Sequence, residues 1–151
     1  TPGKNILLCP PSQKALSYWG VDLNEWLEST KQEIAKHTDR PIVVREKQKR
    51  HVRTNADTME MALQRDVHCL VTYNSIAAVE ALILGKPVFT MGPNAAKPLS
   101  NTNLAKIESP LMPTVERIRQ FCCNLAYGQF TPLEMVNGTA WRILNEFYDR
   151  K

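Results

Sequence analysis

Short apolar runs recur along about the first ninety residues of the chain, and polar or helical patterns separate them. The runs are continuous rather than alternating in hydrophobic and polar positions, which is typical of strands buried on both faces. Prolines and glycines border several of the runs, and these residues commonly interrupt regular structure. The pattern predicts strands at residues 5–9, 41–45, 67–73 and 87–91.

The clearest helical pattern begins after Asp22. An aspartate with Glu25 three residues later is a typical helix start, because both side chains can accept bonds from free backbone N–H groups. One face of the predicted amphipathic helix is formed by Leu23, Trp26, Leu27, Thr30, Ile34 and Ala35. Residues 12–20, just before it, are predicted as a loop or an irregular helical turn.

Further helices are predicted at residues 56–65, 75–85, 114–127 and 131–149. Thr54 or Asn55 is the expected N-cap of the first of these, and Gly85 ends the second. The last begins at Thr131, with Pro132 in its first turn and Glu134 completing a capping box. A long connection rich in Pro, Asn and Ser, residues 92–113, precedes the final helices.

Strands and helices that alternate at this spacing predict a parallel sheet with helices on both faces. The expected fold class is α/β, a Rossmann-like three-layer α/β/α arrangement with a mostly parallel sheet of about 4–5 strands and C-terminal helices. Residues 1–113 are expected to form the core, and residues 114–151 to pack on the same domain. Ligands of such folds bind at the carboxyl ends of the strands.

Composition limits the class of protein further. The 151 residues suit about one domain, and 43% apolar with 23% charged residues is ordinary for a globular protein. No run approaches the roughly 18–20 apolar residues of a membrane span. The four cysteines lack metal-site spacing, so we expect no metal, mostly buried reduced thiols and a cytoplasmic location.

Positive charge is concentrated in one stretch, residues 45–53, which contains five Lys or Arg residues. Such a stretch is either a solvated loop or an anion site. Arg45 and Lys47 lie just after the second predicted strand, so they would reach the ligand edge of the sheet. Ser12 follows the first strand and Asn74 with Ser75 follows the third; these side chains suit a ligand, although simple N-capping explains the last two equally well.

Glu80 is the one charged residue in the apolar helical stretch 75–85. Because burial of an unpaired carboxylate is costly, a buried Glu80 would need a ligand or a cation such as Arg45 or Lys86. The chain contains neither G-x-G-x-x-G nor a Walker A sequence, so dinucleotide and P-loop sites lack support.

The segment from Asn74 to Val88, N-S-x4-E-A-L-x-x-G-K-P-V, resembles the donor-binding half of GT-B glycosyltransferases. The likeness is to the capsule polysaccharide biosynthesis proteins, which include Kdo-transferase-like enzymes, and it extends more weakly over residues 5–110. The tail from Asn124 resembles phage-encoded members. The resemblance implies that Ser75 contacts the donor phosphates and that Glu80 binds the donor ribose.

The chain departs from that family in two respects. Arg45-Glu46-Lys47 stands where the family often has a K-x-H-P-like element, although Arg45 and Lys47 could still neutralise a diphosphate. A GT-B enzyme also has two Rossmann-like domains, and this chain suffices for one. None of His37, His51 and His68 is placed as a general base, so the catalytic residues stay unknown and a second Rossmann-like domain or subunit is expected.

We therefore expect a glycosyltransferase donor-binding domain whose substrate is a nucleotide-activated sugar, with no cofactor. The alternatives are a non-catalytic nucleotide or nucleic-acid binding module and a nucleotide-sugar epimerase half. A DNA acceptor is supported only by the charge of the basic stretch, residues 45–53.

Residues 92–98 are either a lid over the ligand or an ordered loop. Trp19 is a candidate ligand contact, whereas Trp26 and Trp141 are expected to pack in the core. The predicted binding residues are Ser12, Arg45, Lys47, Asn74, Ser75, Glu80, Pro93 and Asn94.

Overall fold

A computed structural model describes residues 3–46 and 58–148, without the side chains at positions 13, 15, 19, 147 and 148. The chain divides into two compact units, Thr1–Thr114 and Val115–Lys151. The first contains all the strands, and the second contains helices only.

The first unit is built on a four-stranded sheet in which every pair of neighbours is parallel. The order across the sheet is β2-β1-β3-β4. The strands are β1 (Asn5–Cys9), β2 (Ile42–Val44), β3 (Val67–Thr72) and β4 (Val88–Thr90). With helices on both faces of the sheet, the α/β, Rossmann-like fold class is confirmed. The predicted strands are each correct to within one residue at either end.

The helices of the first unit are α1 (Gln13–Trp19), α2 (Leu23–Ala35), α3 (Met59–Gln64) and α4 (Ala77–Ile83). Asp22 caps α2 as expected, because its Oδ1 accepts bonds from the N–H groups of Asn24 and Glu25 at 2.9 Å each. The predicted start of the helix at 56–65 is wrong: α3 begins at Met59, and the cap is the hydroxyl of Thr58. Thr54 and Asn55 lie outside the described residues.

The core is divided into two layers by the sheet, because successive strand residues point to opposite faces. Ile6, Leu8, Cys69, Val71 and Phe89 pack on one face with α2 and the 3-10 turn Leu104–Lys106. Trp26 and Ile34 are the deepest contributions of α2, so the prediction that Trp26 belongs to the core is confirmed. The opposite face packs against α3 and α4.

A buried side chain, that of Asn101, orders the middle of the long connection after β4. Its Nδ2 donates to the carbonyl oxygens of Val88 at 3.1 Å and Leu111 at 3.0 Å. Its Oδ1 accepts from the N–H of Leu111 at 2.9 Å. The backbone of Asn101 also bridges to Phe89 in parallel fashion, next to the last strand. The middle of the connection is thereby joined to β4 and to Leu111.

The second unit contains α5 (Val115–Tyr127), α6 (Pro132–Val136) and α7 (Thr139–Tyr148). The single helix predicted at 131–149 is therefore wrong, since Gly138 has φ 81° and separates two helices. The predicted capping box at Thr131 and Glu134 is confirmed. Trp141 does not pack in a core: it is 71% exposed, because it lies on the outer face of α7.

Replacing Asn101 by Ala should lower the free energy of unfolding by about 1–3 kcal/mol, because its buried side chain makes three hydrogen bonds to the backbone of Val88 and Leu111. Urea denaturation measures this. Asn103→Ala is the matched control, since its side chain caps only the exposed N–H of Ala105 and should cost about 1 kcal/mol or less. Equal losses in the two variants would show that Asn101 does not anchor the connection.

A second anchor lies at the amino end of the sheet, where Glu108 receives bonds from Arg40 and Thr38. The Arg40 guanidinium, helped by the Thr38 hydroxyl, lowers the pKa of Glu108. Arg40 also donates to the carbonyl oxygen of Gly3 at 2.8 Å. The pair thus connects the chain before β1, the chain before β2 and the connection after β4.

Because the pKa of Glu108 is lower in the folded state, its contribution to stability is present above its unfolded pKa of about 4.3 and is lost as the pH falls through the folded value. Glu108→Gln should therefore destabilise the protein at pH 7 and lose this effect below about pH 4. The size should be about 1 kcal/mol or less, since both side chains are partly exposed. Glu28→Gln, which removes only a local pair with Lys31, is the control in urea titrations, and an equal pH dependence there would contradict the assignment.

Candidate functional site

The carboxyl edge of the sheet has one position where the chain direction changes. From β1 the chain crosses to β2 on one side, and from β3 it crosses to β4 on the other. The loops after β1 and β3 therefore diverge, and between them lies the crevice in which open α/β sheets bind ligands. Residues that end or follow these two strands are the first candidates for a site.

A buried hydroxyl connects the two strands at that position. Thr72 is fully buried, and its Oγ1 donates to the carbonyl oxygen of Cys9 at 2.7 Å. The same Oγ1 accepts a bond from the N–H of Ser75 at 3.3 Å. Thr72 thus fixes the end of β1 and the start of the following loop together. Sequence reasoning missed it, because a threonine inside a strand gives no signal of a bond to a carbonyl 63 residues away.

Ser75 and Asn94, both predicted site residues, lie in contact. Asn94 Nδ2 donates to the carbonyl oxygen of Ser75 at 3.0 Å, and Asn94 Oδ1 accepts from the N–H of Ala96 at 2.9 Å. The Oγ of Ser75 accepts a bond from the N–H of Ala77 at 3.3 Å. The hydroxyl of Ser75 thus bonds the first N–H of α4 from the residue before the N-cap, Ile76. Asn94 joins the loop after β4 to the loop after β3.

Tyr73 and Gly92 form the wall between these two loops. A Cβ atom on Gly92 would lie 2.7 Å from the ring of Tyr73, so only glycine permits this approach. On its other side the Tyr73 ring meets Trp26 edge to face, with centroids 6.2 Å apart. Gly92 also donates its N–H to the carbonyl oxygen of Tyr73 at 3.1 Å. The lid interpretation of residues 92–98 therefore gives way to an ordered loop.

Glu80 is not buried, and the expectation that it is an internal carboxylate is wrong. The helix α4 buries its small residues Ala77, Ala78 and Ala81 with Val79 and Leu82. Its opposite face carries Ile76, 64% exposed, and Ile83, 58% exposed, with Glu80 between them. Within residues 3–46 and 58–148 no ion pair involves Glu80, and Lys86 donates instead to the carbonyl oxygen of Val67.

Arg45 and Glu80 nevertheless lie on either side of the end of β1. Burial raises the pKa of the Cys9 thiol to about 12, while Arg45 lowers and Glu80 raises it. Both charges therefore act electrostatically on the Cys9 thiol, Arg45 from the chain after β2 and Glu80 from α4, the helix after β3. The backbone of Arg45 is joined to β1, because its backbone N–H donates to the carbonyl oxygen of Leu8 at 2.9 Å. The neutral thiol itself is buried and unsuited to nucleophilic chemistry.

The other predicted residues are spread around this edge. Ser12 is exposed and its carbonyl oxygen accepts the N–H of Leu16, in the first turn of α1. Asn74 is partly buried in the loop after β3, and Pro93 is exposed in the loop after β4. Lys47 lies outside the described residues, as does the rest of the basic stretch beyond Glu46. The side chain of Trp19 is likewise not described.

The histidines that the structure describes lie away from the crevice. His68 is at the beginning of β3, 6% exposed, with Nε2 2.7 Å from the carbonyl oxygen of Ile107. His37 follows α2 and bonds Glu33. In the described ranges no three His, Cys, Asp or Glu side chains are grouped to bind a metal ion. Near the crevice the described charged residues include Arg45 after β2 and Glu80 on α4, and these groups suit the binding of a ligand with anionic and hydroxyl groups.

Comparison of the chain with family models, curated proteins and solved structures gives no match in any of the three. The class that the structure defines is therefore a Rossmann-like α/β unit followed by a helical unit, and the family resemblance stays a prediction. Across the described parts of the chain, no helix has the length and apolar character needed to cross a membrane.

Replacing Thr72 by Val should destabilise the protein by about 1–3 kcal/mol, since the carbonyl of Cys9 and the N–H of Ser75 both lose their partner. Thr72→Ser keeps the hydroxyl and should recover part of the loss. Urea denaturation of the two variants distinguishes a lost hydrogen bond from a change of shape. If Val and Ser variants were equally stable, the hydroxyl would not be the connection between β1 and β3.

Proposed function

We propose that the first unit binds a nucleotide-activated sugar at the crevice between β1 and β3, as the donor-binding domain of a GT-B-like glycosyltransferase. The observation that carries the proposal is topological: Arg45 follows β2 and Glu80 lies on the helix after β3, so the two charges come from the elements on either side of β1, where the strand order reverses. A nucleotide sugar presents two kinds of group that these residues complement, namely an anionic diphosphate and a ribose with two adjacent hydroxyls.

Arg45 would bind the diphosphate, because a guanidinium matches phosphate oxygens with paired N–H donors. The carboxylate of Glu80 accepts hydrogen bonds only, and a ribose supplies two neighbouring donors. The exposure of Glu80 supports this role, since a carboxylate that a ligand must reach cannot be enclosed by the core. Ser75 and Asn94 would then shape the rim through their backbone contacts.

The share of catalysis carried by such a domain is stabilisation of the leaving group. When the sugar is transferred, negative charge grows on the departing phosphate, and Arg45 would stabilise it electrostatically. The acceptor and the general base would come from a second Rossmann-like domain or subunit, because no described histidine lies at the crevice. The proposal thus assigns donor binding to this chain and the remaining chemistry to a partner.

Isothermal titration with UDP, CMP, CDP and GDP, and with their sugar derivatives, tests the site. One nucleotide class should bind, and Glu80→Gln and Arg45→Gln should each weaken it about tenfold or more, since each removes a charge-assisted hydrogen bond. Glu116→Gln and Arg119→Gln, on the exposed surface of α5, are matched controls and should bind normally.

Failure of every nucleotide to bind would overturn the proposal. Binding of duplex DNA that weakens steeply with salt, without nucleotide binding, would instead favour a nucleic-acid module. Conversion of a bound nucleotide sugar to its epimer, with no acceptor present, would favour an epimerase half. The two latter outcomes correspond to the alternatives that the sequence leaves open.

A further inference from the structure

Among the residues that the structure describes, the edge strand β2 is only partly covered on one face. Strands of a parallel sheet are usually buried on both faces, and Leu7 of β1 is only 3% exposed. Its register partner Val43 is 46% exposed. Beside it lies an open recess with a volume of about 440 Å³, which is within the range of small-molecule sites.

The floor and side of the recess are apolar. Leu7 and Val43 are direct neighbours on β1 and β2, so their side chains point to the same face. Ala62 from α3 and Val67 from the start of β3 complete the apolar lining. Such a surface suits a flat hydrocarbon or aromatic body, because contact with it removes apolar area from water on both partners.

Both ends of the recess carry charged side chains, and the two ends differ in net charge. Arg45 and Glu46 lie together at the carboxyl end, so a carboxylate accompanies the cation there. Asn5 and Arg65 lie at the amino end, where the recess has a cation and an amide. Two cations against one carboxylate leave an excess of one positive charge, and it lies at the Arg65 end.

Arg65 is placed by a rigid turn rather than by a mobile loop. The next residue, Asp66, has φ 56°, a left-handed conformation that is uncommon for residues other than glycine. The carbonyl oxygen of Asp66 accepts the N–H groups of Lys4 at 2.8 Å and Asn5 at 3.0 Å. The turn is therefore joined to the start of β1, and this fixes the backbone of Arg65 next to Asn5.

We propose that the recess is a binding site for a small organic mono-anion with a flat apolar body. The body lies on Leu7 and Val43, and the carboxylate of the ligand faces Arg65 and the Asn5 amide. A neutral polar group of the ligand faces Arg45 and Glu46. The recess shares Arg45 with the proposed nucleotide-sugar site, but Ser75, Asn94 and Glu80 do not line it, and its contact for the anion is Arg65.

The experiment uses 2-naphthoate as the probe and the full chain, with backbone amide signals followed by two-dimensional NMR. The signals of Asn5, Val43 and Arg65 should shift on titration. Arg65→Gln should weaken binding about tenfold, because one charge-assisted contact is lost. Val43→Trp should abolish it by filling the recess, and thermal melts verify that both variants fold. The control Arg142→Gln, which removes an exposed arginine from α7, should bind as the unaltered protein does.

Two further probes distinguish the contribution of the carboxylate to binding from that of the apolar body. The neutral 2-naphthylmethanol should bind about tenfold more weakly than 2-naphthoate, and acetate should not shift the recess signals. Absence of shifts at the recess with 2-naphthoate would overturn the site. So would folded Arg65→Gln and Val43→Trp variants that bind 2-naphthoate as tightly as the unaltered protein does. Glu80→Gln should leave naphthoate binding unchanged, so failure of the nucleotide titrations and failure here are distinguishable.

Discussion

The carboxyl edge of the sheet depends on one buried hydroxyl, that of Thr72. It donates to the carbonyl oxygen of Cys9 and accepts the N–H of Ser75. The carbonyl of Ser75 then accepts the amide of Asn94, whose own oxygen accepts the N–H of Ala96. One continuous path of hydrogen bonds therefore connects the end of β1 with the loops after β3 and β4. In a buried setting, loss of any member leaves other polar groups unsatisfied, so the three chain segments are fixed together.

This path divides the polar residues of the edge into two kinds. Ser75 and Asn94 use their side chains on the protein's own backbone, so they position the loops. Arg45 and Glu80 belong to the elements on either side of Cys9 and differ in charge. A site with fixed loops loses little conformational freedom when a ligand binds, which favours affinity for a given set of contacts. The fixed loops thus favour the donor binding that we propose at this edge of the sheet.

The sequence predicted the sheet well because its signal is local. Continuous apolar runs indicate burial on both faces, and all four predicted strands exist in the described chain. Glu80 was misjudged because an apolar count does not tell which face of a helix meets the sheet. Small residues such as Ala78 and Ala81 pack closest, so the larger Ile76 and Ile83 face outward beside Glu80. The connections made by Thr72, Gly92 and Asn101 join residues distant in the chain, and no periodic pattern encodes them.

Burial keeps the Cys9 thiol neutral, since it raises the pKa of the thiol to about 12. In the site that we propose, Cys9 therefore adds no charge to those of Arg45 and Glu80. A thiolate at the same place would compensate the arginine and repel a phosphate. With a neutral floor, each charge keeps its full interaction with an incoming group of the opposite kind, or with a donor of hydrogen bonds. Under the proposed function, the end of β1 would supply a neutral surface, while Arg45 after β2 and Glu80 of α4 would supply the charges.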